Sequence, residues 1–438
     1  MSKSSPIFMC GNCGNELTKW VGQCPYCKEW NTITEISLAT TKPSTHSRSH
    51  QTTVLTPKEA LKNTNTTAVA TDITELDRVL GRGLTPGGVY LLAGEPGIGK
   101  STLLTQLSIS LSAKKLTVLY LCSEENPSQV AGRIDRLNQN QPGNDHIHLL
   151  QTETIEELSD HTAKHKPDLV IVDSIQSVAS TEIHSTPGTI TQIRACANLL
   201  INLAKKTSIP VILVGHVTKS GELAGPKLLE HMVDVVLKLE GDRYHDLRLL
   251  RGLKNRFGPT DETGIFTMGS SGLSALTDPT KAFTSLTVAG APGSVLTLAM
   301  EGTRPLLIEI QALTVHSELA IPRRVPQGIT TTRLQLICAI LTKHARLPLS
   351  DKDVFVNVTG GLTLKEPAAD LAIALAIISS TKNVGLPAKT VVIGELGLLG
   401  EIRQVPYLEK RLKEAKALGY THPISPQNST HIKQLTLK

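Results

Sequence analysis

The sequence predicts an α/β protein: a mostly parallel sheet covered by helices, a small cysteine-rich segment before it, and a domain of mixed α+β order after it. Three observations carry this. From residue 67 to 270, short apolar runs alternate with longer helical stretches, as parallel strands buried on both faces require. One such run, residues 89–93, leads directly into Gly94-Glu95-Pro96-Gly97-Ile98-Gly99-Lys100-Ser101, followed by Thr102. That octet fits G-x-x-x-x-G-K-[ST]. Residues 8–31 hold two C-x-x-C pairs.

At 438 residues the chain is long enough for two or three domains. Aromatic residues make up only 3%, so the cores must be built from Leu, Ile, Val and Ala. The formal charge of +6, from 45 basic and 39 acidic residues, permits an anionic partner without demanding one. No signal peptide is evident, and no apolar run approaches the roughly 18–20 residues that span a bilayer. A cytoplasmic location with no membrane contact is expected. Of the seven cysteines, Cys122, Cys196 and Cys338 sit alone in apolar or helical surroundings and read as small buried hydrophobes.

Along the chain, residues 1–36 form the first part. Cys10 and Cys13, with Cys24 and Cys27, can present four thiolates to one tetrahedral ion. So small a segment buries little, and bound Zn²⁺ would supply its folding energy. Trp20 and Trp30 are expected to pack over the cluster. Four Cys ligands close the site, so its role is structural. Residues 37–66, rich in Ser, Thr, Lys and His, read as a linker.

Residues 67–275 form the sheet domain. Residues 71–80 read as a capped helix feeding the strand at 89–93, and the helix at 101–112 puts Leu103, Leu104, Leu107 and Leu111 on one face. Strand, glycine loop and helix N-terminus together make a phosphate cradle. Lys100 supplies charge for the β- and γ-phosphates of ATP, and the Ser101 hydroxyl suits Mg²⁺. Further strands are expected at 118–122, 146–150, 169–172, 211–214 and 235–239. In such sheets ligands lie at the carboxyl ends of the strands. Asp173 ends the 169–172 run, where it can hold Mg²⁺. Glu124 and Glu125 follow the 118–122 run, where either can activate water. His216 follows the 211–214 run and either contacts the γ-phosphate or rests in a loop. The polar segment 217–227 can relay that contact to an anionic polymer. Lys254 and Arg256, in Lys254-Asn255-Arg256-Phe257-Gly258, can reach either a neighbouring subunit's phosphates or DNA.

Residues 276–438 mix helices, at 331–344, 366–380 and 408–418, with strands at 294–300, 306–313, 354–358 and 390–393, an α+β order.

With these residues in view, the whole chain resembles the bacterial RadA (Sms) family of DNA recombination and repair ATPases. The resemblance rests on the Cys10/Cys13/Cys24/Cys27 finger, the loop 94–101 with Asp173, the 215–227 segment and, above all, the K-N-R-F-G signature at 254–258. It implies a RecA-like ATPase core, with Glu124 or Glu125 as the water-activating acid. The C-terminal part resembles the Lon protease domain. Ala368, in Glu366-Pro367-Ala368-Ala369-Asp370, stands where the nucleophile would be, and an acid lies at or beside the lysine position in Pro406-Tyr407-Leu408-Glu409-Lys410. Without a hydroxyl the Ser–Lys chemistry cannot run, so the domain is expected to be inactive. Family membership implies a homo-hexamer that binds single-stranded DNA and branched recombination intermediates, works beside a RecA-type recombinase and drives branch migration. Two alternatives are a nucleotide-switched DNA-binding scaffold and an ATP-dependent protease.

Overall fold

The computed structural model describes residues 7–10, 16–26, 28, 30, 33–36, 67–138, 144–183, 185–216, 227–241, 246–276 and 290–435. The chain divides into two compact units. One comprises Met1–Glu240, Arg248–Thr260 and Phe266–Ala275, the other Gly241–Leu247, Asp261–Ile265 and Leu276–Lys438.

The first unit begins with a three-stranded antiparallel ribbon. In it β1 (Ile7–Cys10) lies between β2 (Glu16–Leu17) and β3 (Ile33–Ile36). Its core is Cys10, Cys24 and Ile33, with Phe8, Leu17 and Val21 against them. The two tryptophans, expected to pack over the four-cysteine cluster, are both largely exposed. Trp20 is 58% and Trp30 67% exposed, and both rings lean over Gly22. The Trp20 indole donates to the carbonyl of Ile33, the β3 residue paired with Cys10, at 3.1 Å. Cys13, Cys27 and the 37–66 segment lie outside the described residues.

The main sheet is built from elements in this order: α1 (Thr74–Leu80), β4 (Val89–Gly94), α2 (Lys100–Ala113), β5 (Val118–Cys122), α3 (Pro127–Leu137), β6 (Ile147–Leu150), α4 (Ile155–His165), β7 (Leu169–Asp173), α5 (Ile190–Thr207), β8 (Val211–His216), α6 (Lys227–Met232), β9 (Val235–Glu240), β10 (Leu247–Asn255), β11 (Thr263–Gly269) and β12 (Gly272–Ala275). The strand order is β12-β11-β10-β9-β4-β8-β7-β5-β6. The six strands from β9 to β6 run parallel, whereas β10 and β12 join antiparallel. Alternation along β4 explains the two layers. Tyr90 and Leu92 face one core, with Leu103, Leu104, Leu107 and Leu111 of α2. Val89 and Leu91 face the other, with Cys196, Ala197 and Leu200 of α5. Each buried Leu contributes about 1.5–3 kcal/mol against exposure.

Strands β10 to β12 were not expected from the sequence. In β10, Arg248, Arg251 and Lys254 interrupt the apolar run, so it lacks the continuous hydrophobicity of a central strand.

The second unit contains β13 (Ser294–Glu301), β14 (Arg304–His316), β15 (Arg324–Gln327), α7 (Thr331–His344), β16 (Lys352–Val358), α8 (Asp370–Lys382), β17 (Thr390–Val392), β18 (Glu395–Leu396), β19 (Ile402–Arg403), α9 (Leu408–Ala417) and β20 (His422–Ile424). Its four-stranded sheet runs β13-β14-β16-β15. Helix α8 is buried from Asp370 through Ser379, and Asp370 pairs with Arg333 of α7. Ala368 is buried and offers only its carbonyl, which accepts from the Gly394 N–H at 2.8 Å. The buried cation of α9 is Arg411, 0% exposed. Its guanidinium donates to the Glu366 carboxylate and to the carbonyls of Leu298 and Pro406. Glu409 and Lys410 are exposed. Ala368 thus carries no hydroxyl, and Arg411 is held in an ion pair with Glu366, two residues before it.

Candidate active site

The loop between β4 and α2 is shaped by steric necessity. Gly99 adopts φ of +112°, and a Cβ there would sit 2.5 Å from the Met268 methyl. At Gly94 a Cβ would sit 2.6 Å from the Leu239 carbonyl of β9. Only glycine fits either position. The loop is also held from behind: buried Arg248 donates from Nε to the Ile98 carbonyl at 3.1 Å. Ile98 itself turns into the core, whereas Glu95, Pro96 and Gly97 are exposed.

Lys100 opens α2. Its buried ammonium donates to the carbonyls of Gly94 at 2.8 Å and Glu95 at 3.0 Å. Burial lowers its pKa from the ordinary lysine value, against the opposing pull of Asp173 and Glu124. Asp173 ends β7 directly beside Cys122 of β5. Burial raises its carboxyl pKa; hydrogen bonds from Tyr120 and Ser101 oppose this, and the charges of Glu124 and Glu125 add to it. The Tyr120 hydroxyl donates to Asp173 Oδ2 at 2.7 Å. Burial also pushes the Cys122 thiol up to about 12, which makes it an inert wall rather than a nucleophile.

Gly97, Gly99, Lys100, Ser101 and Thr102 line one side of a cleft of about 290 Å³, and Glu124, Glu125 and Asp173 line the other. Clustered pKa shifts in a concave site mark a functional centre. The two glutamates differ. Glu125 is held by the Arg133 guanidinium of α3, whereas Glu124 is exposed and its charge acts on both Lys100 and Asp173. Ser101 and Asp173, hydrogen-bonded to each other, form an oxygen pair suited to a hard cation, so the residues present fit Mg²⁺. Of the four cysteines expected to hold a soft tetrahedral ion, Cys10 and Cys24 are both buried in the ribbon core.

Sequence reasoning missed Tyr120, Arg133, Arg248 and Met268. Each carries the signature of an ordinary core or helix residue, and only the fold brings it to the loop. Of the expected site residues, His216 pairs along the backbone with Gly94, and its side chain lies outside the described residues, as does the 217–226 segment. Lys254 and Arg256 are absent from the cleft lining of this chain. The Lys254 ammonium donates to the carbonyls of Glu230, His231 and Val233 at 2.8, 3.2 and 2.7 Å. Arg256 pairs with Asp234 at 3.0 Å.

A protein named DNA repair protein RadA from Bacillus subtilis is 43% identical over 430 residues, covering 97% of this chain and 93% of that protein. Its namesakes from Haemophilus influenzae and Rickettsia bellii are 44% identical over 425 residues and 43% identical over 437 residues. They cover 96% and 98% of this chain, and 92% and 96% of their own lengths. The chain belongs to the RadA family.

Three family models match separate stretches of the chain. Residues 8–35 match a rubredoxin metal-binding domain, 56–222 an AAA domain, and 329–429 subunit ChlI of Mg-chelatase. Among solved structures, one ATPase domain covers 50% of the chain, and the chain 95% of that domain, at 16% identity and a TM-score of 0.42. The RadA assignment therefore rests on the full-length relatives. It gives the chain an ATPase core behind a metal-binding ribbon. No helix among the described residues is long and apolar enough to cross a membrane.

Proposed function

We propose that this protein is a DNA-stimulated ATPase of recombination and repair. It works as a hexameric ring on single-stranded DNA and branched intermediates, beside a RecA-type recombinase, and drives branch migration. The observation that carries the proposal is the convergence of Lys100, Ser101, Asp173 and Glu124 on one cleft, in a chain over 40% identical along almost its whole length to proteins named for DNA repair.

In this reading the triphosphate displaces the Gly94 and Glu95 carbonyls from the Lys100 ammonium, which turns to the β- and γ-phosphates. The N–H groups that open α2 hold the remaining phosphate oxygens. Mg²⁺ bound by Ser101 and Asp173 would neutralise charge on the phosphates. Glu124, which lines the cleft and acts by its charge on both Lys100 and Asp173, is the general base that orients and deprotonates water. Cys10, Cys13, Cys24 and Cys27 hold structural Zn²⁺. His216, at the strand end opposite Gly94, reports loss of the γ-phosphate to the segment after it. The buried methyl of Ala368 argues against peptide hydrolysis in the second unit.

The test is ATP hydrolysis measured with and without single-stranded DNA, for the wild-type protein and Glu124→Gln. DNA-stimulated turnover in the first, and ATP binding without turnover in the second, are expected. Turnover surviving in Glu124→Gln at the wild-type rate would remove Glu124 from the mechanism.

A further inference from the structure

Adjacent residues at the end of β10 each grip a different helix end. The Asn255 amide donates to the Leu80 carbonyl at 3.2 Å, at the C-terminus of α1. The Lys254 ammonium donates to three carbonyls, Glu230, His231 and Val233, at the C-terminus of α6 and in the turn beyond it. These are the carbonyls that a helix end leaves without intrahelical partners, and the negative pole of its dipole faces them. The strand is built for this grip. Its register against β9 shifts between Gly252 and Lys254, so that Lys254 lies opposite Val236. A bulge of this kind re-aims the side chain.

The turn that Lys254 holds leads straight into β9. It is fastened further at Asp234. The Arg256 N–H donates to the Asp234 carbonyl at 3.1 Å, and the Asp234 carboxylate takes both Arg256 and the Val89 N–H. Strand β9 then runs beside β4, with Leu239 paired to Gly94. There the Leu239 carbonyl occupies the space that a Cβ on Gly94 would need. A slip of β9 along its axis would therefore drive that carbonyl against the first glycine of the phosphate loop.

We propose that Lys254 is a positioning residue. By clamping the C-terminus of α6 it sets the register of β9 and, through Leu239, the shape of the phosphate loop in its own subunit. This rests on the nucleotide-binding reading of the cleft and adds an action within one chain to the contacts with a neighbour's phosphates or DNA expected of this motif.

Mg²⁺ with a fluorescent ADP is the discriminating probe, because ADP lacks the γ-phosphate that a residue reaching in from a neighbour would touch. Lys254→Gln is expected to weaken ADP binding about five- to tenfold, lower the melting temperature and speed amide exchange across residues 229–236. Lys254→Arg, which can still reach the carbonyls, is expected to restore most of each. If the Gln variant is too unstable to assay, that counts as the melting outcome, and the Arg variant carries the affinity comparison. Wild-type ADP affinity, stability and exchange in Lys254→Gln would overturn the inference, even if turnover fell. Failure of the wild-type protein to bind ADP, or equal binding by Lys100→Ala, would instead overturn the reading of the cleft itself.

Discussion

Lys100 and Asp173 show what a charged residue pays to be useful in a buried cleft. Burial disfavours the charged form of each. For Asp173 the pKa of the folded state is raised, so the group adds stability only at low pH, and that contribution is lost as pH rises through the folded pKa. At neutral pH the ionised carboxylate is a cost. Asp173→Asn should therefore raise the melting temperature of the nucleotide-free protein at pH 7.5 while abolishing Mg²⁺-dependent nucleotide binding; an unchanged or lower melting temperature would contradict the argument. The same direction predicts that Mg²⁺-dependent binding in the wild-type protein falls on acidification at a higher pH than an ordinary carboxylate of about 3.9 would allow. A binding titration from pH 7 to 4 reads this. Lys100→Ala should lower kcat by about 10²–10³, the usual loss of one preorganised donor to a developing charge.

Elements were legible in proportion to how much of their pattern was local. The run at 89–93, the loop after it and the helix face of Leu103, Leu104, Leu107 and Leu111 announced themselves because one short window holds strand, turn and helix signals. Strand β10 did not, since Arg248 and Lys254 are charged for reasons that lie far along the chain: one holds the Ile98 carbonyl, the other the end of α6. Two element-scale predictions follow from these contacts. Arg248→Met removes the donor to Ile98 and should destabilise the first unit by about 1–3 kcal/mol, read as a shift in denaturant midpoint. Removal of metal with a chelator should melt the ribbon, whose described core is only Cys10, Cys24 and Ile33 with three flanking side chains. Circular dichroism and intrinsic fluorescence of Trp20 and Trp30, the only tryptophans in the chain, report it.

For the whole molecule, the second unit keeps a fold while lacking a nucleophile at Ala368, and the first unit keeps a complete phosphate cleft. The chemistry that the described residues support is therefore that of the phosphate cleft in the first unit. A net charge of +6 is too small to grip DNA by bulk attraction, so the proposed binding would rest on localised cations. Such contacts release counterions, and affinity for single-stranded DNA should fall steeply between about 50 and 200 mM salt. Sequence foretold the kinds of part and the order in which they occur; it could not foretell that Lys254 and Arg256 would be engaged within their own chain, because those contacts depend on the α6–β9 turn.

The central claim is that hydrolysis in the cleft moves DNA. A labelled three-strand junction, followed in time with ATP and Mg²⁺, tests it most directly. The wild-type protein should move the branch point, and Glu124→Gln should bind both ATP and the junction yet leave the branch in place. A wild-type protein that hydrolyses ATP and binds the junction without ever moving it, or a Glu124→Gln protein that moves it at the wild-type rate, would contradict the account.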